Sequence, residues 1–207
     1  MLFSVSSVDN FFEEPDKIVK LSNQFEYKSD GTVYGIRTEP LHNDFMIWLN
    51  KKILATLFPQ QYNDINFLAK TMFQKTKPSN LDGWVHIDRP NLLTAIIYLN
   101  KEDTSGTSFY KSKEPMFNLN QDLKFKYFNN EINNELKVLE AKEKNNDQFK
   151  KTITIDGVYN RLITFDGSTP HAAEVINNNE ERLILISFFE EINGNFLRFP
   201  IPQSKGL

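Results

Sequence analysis

The chain has 207 residues, 40% hydrophobic and 25% charged, with a formal net charge of −3, a length and balance that fit one globular domain, residues 1–207, with a sizeable core. The absence of cysteine excludes disulfides, iron–sulfur clusters and thiolate zinc sites, and it agrees with a reducing, cytoplasmic setting. The slight acidity gives no electrostatic ground for a nucleic-acid partner or an anionic membrane surface, and neither a bilayer-spanning apolar run nor a secretory signal is read in the sequence.

Along the chain, Val8-Asp9-Asn10-Phe11-Phe12 leads into a helix expected over about Pro15 to Gln24, with Pro15 in its first turn. Asp30-Gly31 marks a turn. Phe45, Trp48, Leu49 and Ile53 recur at helical spacing, which predicts a second helix from Asp44 to Leu57, stopped by Pro59. Beyond it the period changes to two. Strands are expected from Ile65 toward Gln74, at Trp84–Asp88, Leu92–Leu99, Thr107–Tyr110, Arg161–Phe165 and Arg182–Phe189. Short strands preceded by helices predict a β barrel or sandwich with a helical layer. Residues 112–151, rich in Lys, Glu and Asn, interrupt the plan. A helix over Asn129 to Phe149, with Ile132, Leu136, Leu139 and Phe149 as sparse apolar positions, is expected there, either as a solvated insertion or as a lid over the barrel mouth.

The chemistry-bearing residues are few. Only three histidines occur, and His86 belongs to a His-Ile-Asp triplet with Asp88. On an extended segment these two side chains leave the same face, with Cα atoms roughly 6.6 Å apart, so both can reach one ion. His171 follows the turn-rich Asp166-Gly167-Ser168-Thr169-Pro170 at the end of an expected strand, where it is placed to be a third ligand. Two imidazoles and one carboxylate leave coordination positions open, a donor set suited to non-haem Fe(II) and oxygen chemistry.

Arg182 opens the run Arg182-Leu183-Ile184-Leu185-Ile186-Ser187-Phe188-Phe189, and period two puts Arg182, Ile184, Ile186 and Phe188 on one face. An arginine that begins an apolar face is either at a rim, paired with Glu180 or Glu181, or buried against an anion, for which its guanidinium is a bidentate receptor. Tyr98 shares a face with Thr94 and Ile96, and its phenol needs a hydrogen-bond partner inside a barrel, whether a backbone carbonyl or an anion.

The segments WVHIDRPN, TAIIYLN, GTSFY, NRLITFDGSTPHAAE and ERLILISFF, spread over residues 84–189, resemble the Fe(II)- and 2-oxoglutarate-dependent oxygenase superfamily, and within it the prolyl-hydroxylase-like group. NRLITFDGSTPH is similar to an uncharacterised branch of that superfamily common in bacterial and phage genomes. The resemblance implies a mainly β fold, a double-stranded β-helix (a jelly-roll or cupin-like barrel) with supporting N-terminal α-helices and a helical insertion. It implies that His86, Asp88 and His171 ligate Fe(II), that Arg182 and Tyr98 hold the distal carboxylate of 2-oxoglutarate, and that Thr94 lines the same pocket. It implies hydroxylation of an unactivated C–H bond of a prolyl or other amino-acid side chain, a peptide or a small molecule, consuming O2 and releasing succinate and CO2, with ascorbate as a supporting reductant. Asp88 fills the position that halide takes in related halogenases, which favours hydroxylation. A cupin-like metal protein with other chemistry, or an inactive binding module on the same barrel, are the alternative readings. Neither the substrate nor the oligomeric state is written in these motifs.

Overall fold

The computed structural model describes residues 5–29, 35–59, 64–78, 83–102, 104–115, 117, 119, 122–129, 131–132, 134–175 and 181–194. The turn expected at Asp30-Gly31 lies outside these residues, as does Glu180. Alternating apolar residues build two antiparallel sheets. The larger contains β1 (Val5–Val8), β2 (Tyr27–Lys28), β3 (Gly35–Thr38), β4 (Asn66–Thr76), β5 (Leu93–Tyr98), β8 (Leu162–Asp166) and β10 (Arg182–Asn193), in the spatial order β1-β8-β5-β10-β4-β3-β2. The smaller contains β6 (Thr104–Ser112), β7 (Phe149–Gly157) and β9 (His171–Ala173), in the order β7-β6-β9.

The central strands β5 and β10 are buried on both faces, so their two sets of alternate side chains serve two different cores. Leu93, Ala95, Ile97, Leu183, Leu185 and Phe189 face the helical side. There α1 (Pro15–Ser22) and α2 (Asp44–Leu57) cover the larger sheet. Leu49, Ile53 and Leu54 of α2 are almost completely buried in this layer, each burial contributing about 1.5–3 kcal/mol. Asn43 caps α2 by accepting from the Met46 N–H at 3.1 Å. The buried amide of Asn50 donates to Thr71 Oγ1 at 2.9 Å, and that hydroxyl lies 2.8 Å from Ser187 Oγ. This satisfied polar chain fixes α2 on the sheet.

The other set, Ile96, Tyr98, Ile184 and Ile186, joins Met72, Ile163 and Phe165 and meets Phe109 of the smaller sheet. Phe109 and Phe165 stack edge-on with ring centres 5.1 Å apart. The two sheets therefore pack face to face around an interior lined by the residues that period two had put together.

Residues 112–151 depart from expectation. Instead of one helix reaching Phe149, the chain forms α3 (Asp122–Phe128) and α4 (Glu135–Asn146), turns at Asp147–Gln148, and enters β7 at Phe149. The β-branched run Thr152-Ile153-Thr154-Ile155 pairs with β6, and Thr152 Oγ1 donates to the Phe109 carbonyl at 2.9 Å. Leu136 is 73% exposed, whereas Val138 and Asn145 are the buried residues of α4. Phe149 packs with Val85 and Ala172 in a small third core between the insertion and the smaller sheet.

Candidate metal centre

The segment expected as a strand at Trp84–Asp88 is a line of single contacts rather than a ladder. Gly83 N–H donates to the Ala173 carbonyl at 2.8 Å, His86 and His171 exchange both backbone bonds at 3.0 and 2.9 Å, and Asp88 N–H donates to the Gly167 carbonyl at 2.7 Å. This aligns the segment antiparallel to β9 on the edge of the smaller sheet. After Asp88 the chain turns through a cis Arg89–Pro90 bond, and Asn91 donates its backbone and side-chain N–H groups to the Asp88 carbonyl at 3.0 and 2.7 Å. Gly167 must be glycine here, because a Cβ would stand 2.0 Å from the Asn91 carbonyl oxygen. The Asp166 carboxylate accepts from Ser168 N–H and Oγ at 2.7 and 2.6 Å, which shapes the turn that delivers His171.

These constraints bring His86, Asp88 and His171 together, with one potential ligand atom from each lying within 4.8 Å of the others. The imidazole rings are 4.3 Å apart between centres. His86 Nε2 is 3.6 Å from Asp88 Oδ1, and His171 Nε2 is 3.4 Å from Asp88 Oδ2. The opposite nitrogen of each ring is committed to backbone: His86 Nδ1 is 2.8 Å from the Trp84 carbonyl and His171 Nδ1 is 2.9 Å from the Thr169 carbonyl. A carbonyl can only accept, so Nδ1 carries a proton in both rings, and each Nε2 is turned toward Asp88. Such partners fix the tautomer and orientation that a metal needs. Burial, followed by the positive charges of Lys124 and His171, pushes the His86 imidazolium well down and favours the neutral ring. Thr94, read from the sequence as part of the co-substrate pocket, donates its hydroxyl to Asp88 Oδ2 at 2.7 Å.

Arg182 lies at the other end of the interior. It is 3% exposed, its Nε has no hydrogen-bond partner, and no carboxylate among the described residues pairs with it. One Nη donates to Thr107 Oγ1 at 3.3 Å, and the guanidinium sits 5.2 Å from the centre of the Tyr98 ring. The Tyr98 and Thr107 hydroxyls are 2.8 Å apart. Burial raises the pKa of the Tyr98 phenol, although Arg182 opposes the shift, so the hydroxyl keeps its proton as a donor. A rim arginine is therefore not what the structure contains.

Thr94 and Tyr98 are four residues apart on one face of β5, roughly 13 Å of strand. Tyr98 is opposite Ile184, Ile96 opposite Ile186, and Thr94 opposite Phe188. The carboxylate-bearing triad and the buried guanidinium thus stand at opposite ends of an apolar strip formed by Ile96, Ile184 and Ile186. Thr107, which sequence reasoning missed, lay in the quoted GTSFY segment. Lys124 and Arg37, whose charges reach the triad, had no sequence signal.

The fold has counterparts among solved structures. A prolyl-4-hydroxylase from Pseudomonas putida matches with a TM-score of 0.53 at 13% identity, covering 90% of this chain and 91% of that one. HygX from Streptomyces hygroscopicus, solved with nickel and 2-oxoglutarate bound, matches with a TM-score of 0.58 at 12% identity over 94% and 84% of the two chains. A 2OG-Fe(II) oxygenase family oxidoreductase from Burkholderia pseudomallei matches with a TM-score of 0.58 at 9% identity over 92% and 86%. At these identities the likeness is one of fold. No curated protein matches by sequence. A family model does match over residues 3–182, and the chain belongs to that family, DUF6445, a family of unknown function.

Proposed function

We propose that this protein is an Fe(II)- and 2-oxoglutarate-dependent oxygenase, built on a jelly-roll barrel, that hydroxylates an unactivated C–H bond. The observation that carries the reading is the buried Arg182 guanidinium, paired with no carboxylate among the described residues, at the far end of an apolar strip from the His86–Asp88–His171 triad. A buried cation without an anion is costly, and a dicarboxylate spanning the strip would relieve that cost. The donor set fits Fe(II): two neutral nitrogens with oriented lone pairs and one hard oxygen donor, on segments that leave coordination positions open.

When bound, Fe(II) with 2-oxoglutarate supplies O2 activation coupled to oxidative decarboxylation, giving succinate, CO2 and one oxygen atom for the substrate. The chain's own residues do the remainder. His86 and His171 present Nε2 because the Trp84 and Thr169 carbonyls hold Nδ1–H. Thr94 sets the rotation of the Asp88 carboxylate. Arg182, Tyr98 and Thr107 take the distal carboxylate of the co-substrate, with the guanidinium forming charge-assisted bonds. Ile96, Ile184 and Ile186 flank its methylene groups and keep water from the reacting centre. Among solved structures of this fold, a prolyl hydroxylase from Trichoplax adhaerens was solved with a peptide fragment and HygX with hygromycin B, so prolyl, peptide and small-molecule substrates are all consistent with this reading.

The test is turnover of 2-oxoglutarate labelled at C1, with Fe(II) and ascorbate, followed as CO2 and succinate. Wild type should turn it over slowly even without the primary substrate. His171→Ala should abolish the signal. Arg182→Gln should weaken 2-oxoglutarate binding by about 2–5 kcal/mol. Metal-loaded wild type that does not bind 2-oxoglutarate would overturn the reading in favour of a cupin-like protein with other chemistry.

A further inference from the structure

Resting on that assignment, we propose that Thr76 is a further binding residue for the co-substrate. Its hydroxyl donates to the distal carboxylate beside Arg182, and Gln74, itself held by Arg37, is the positioning residue that keeps it a donor. Thr76 comes from β4, a strand that contributes nothing to the clamp of Arg182, Tyr98 and Thr107.

Strand register puts the residue there. On β4, Met72, Gln74 and Thr76 share one face, and Met72 belongs to the interior core. Across the ladder to β10, Met72 is opposite Ile186, Gln74 opposite Ile184 and Thr76 opposite Arg182. Residues paired in this way have Cβ atoms about 4.5–5.5 Å apart, so the threonine stands beside the arginine stem. Tyr98 and Thr107 meet the guanidinium from β5 and β6. Thr76 is buried, and its partner on the other flank is Gly35, which has no side chain to accept a proton.

The hydrogen bonds on this face can run in one sense only. Arg37 Nε can only donate, and it does so to Gln74 Oε1 at 2.8 Å. That fixes the amide with its NH2 group toward Thr76, to which Nε2 donates at 3.1 Å. Thr76 Oγ1 therefore accepts from Gln74, and its own proton is left to donate elsewhere. No described residue receives it.

Acceptors are short throughout this end of the cavity. Arg182 Nε has no partner. Thr107 Oγ1 accepts from Arg182 and lies 2.8 Å from the Tyr98 hydroxyl. Whichever of these two hydroxyls donates to the other, one proton of the pair is left over. The guanidinium Nε, the Thr76 hydroxyl and one hydroxyl of the Tyr98–Thr107 pair thus all lack an acceptor among the described residues. Unmet buried donors are costly, and a carboxylate brings about four lone-pair sites on two oxygens. One such group answers all of them, whereas a methyl terminus answers none. Thr76 thereby sharpens the choice of a 2-oxo acid with a second carboxylate over one without.

The experiment uses the full chain loaded with Zn(II), which cannot turn over, and titrates it calorimetrically with 2-oxoglutarate and with 2-oxopentanoate. The second acid has the same carbon chain and chelating end but no second carboxylate. Thr76→Val keeps the shape and removes the hydroxyl, and Thr76→Ala removes it with less bulk. In both, 2-oxoglutarate should bind about tenfold or more weakly, while 2-oxopentanoate stays within about twofold of wild type. Thr76→Ser should hold 2-oxoglutarate within about threefold of wild type, since the hydroxyl is kept. Gln74→Met should weaken 2-oxoglutarate about threefold, and that loss should vanish in a Thr76→Val background, because Gln74 acts through the hydroxyl. Unchanged 2-oxoglutarate affinity in Thr76→Val and Thr76→Ala overturns the inference. An equal loss for both acids, or a Gln74→Met loss that persists without the hydroxyl, also overturns it, because these residues would then support only the fold. Metal-loaded wild type that does not bind 2-oxoglutarate is the separate failure of the oxygenase assignment, and Thr76 loses its role with it.

Discussion

Thr94 and Tyr98 show how far two hydroxyls on one strand can differ in task. Their spacing on β5 put them on the same face, and that much was legible in the sequence. Which end of the cavity each serves was not, because period two reports a side of the sheet and not a hydrogen-bond partner. The structure gives Thr94 to Asp88 and Tyr98 to Thr107, beside Arg182. The two therefore predict separable losses. Thr94→Val keeps the shape and removes the bond that orients the carboxylate. Loss of such a support costs about 10–100-fold in metal affinity, which Co(II) titration would read, and unchanged affinity would mean that Asp88 is oriented by other contacts. Tyr98→Phe should leave metal affinity alone and weaken 2-oxoglutarate about tenfold, the worth of one hydrogen bond to a charged group. If Tyr98→Phe reduced metal affinity instead, the division of the cavity into two ends would fail.

At the level of elements, the insertion does more than cover a surface. Asn145 and Asn146 at the end of α4 take up the exposed backbone of the metal-bearing segment. Val85 N–H donates to Asn146 Oδ1 and Asn145 Nδ2 to the Val85 carbonyl, both at 2.9 Å, while Asn146 Nδ2 donates to the Gly83 carbonyl at 3.1 Å. The segment has only isolated contacts to β9 on its other side, so this clamp fixes the backbone on which His86 stands. Asn146→Ala strips the Val85 N–H of its partner, and an unsatisfied buried group costs about 1–3 kcal/mol. The variant should lose metal affinity along with stability. Ile53→Ala in α2 is the control: a cavity there should cost about 2–5 kcal/mol while the folded protein keeps its metal affinity. Equal metal affinity in Asn146→Ala and wild type would reduce the clamp to a packing role. None of this was legible beforehand. A side-chain amide that bonds a backbone some 60 residues away leaves no period in the sequence, and the Asn-rich composition that contains it reads as solvated surface. β7 was hidden for a related reason, since as an edge strand it is exposed along most of its length and its Thr-Ile alternation follows directly on a helical, charged stretch.

For the molecule as a whole, the two ends of the cavity tie different parts together. His86, Asp88 and His171 come from the edge of the smaller sheet, and the larger sheet reaches them through Thr94, bonded to Asp88, and through Phe165, whose ring centre is 4.5 Å from that of His171. Arg182 and Tyr98 belong to the larger sheet and meet Thr107 of the smaller one. The strands that carry Arg182 and Tyr98 were the most legible parts of the sequence, because central strands buried on both faces read as short, nearly continuous apolar runs, and a charged residue at the head of such a run stands out. A metal ion should therefore stabilise mainly the smaller sheet's edge, and 2-oxoglutarate should stabilise the contact between the sheets. Ligand at a hundred times its Kd adds about 2.7 kcal/mol, which for a chain of this size raises Tm by about 5–10 °C. Mn(II) alone should give one such increment in a melting experiment, and 2-oxoglutarate added to the metal-loaded protein a second. In Arg182→Gln the first increment should survive and the second should vanish. In His171→Ala the first should vanish, and with it most of the second, because a chelated co-substrate needs the ion as well as the guanidinium. Additive increments that persist in both variants would mean that the two ligands bind somewhere other than the ends of this apolar strip.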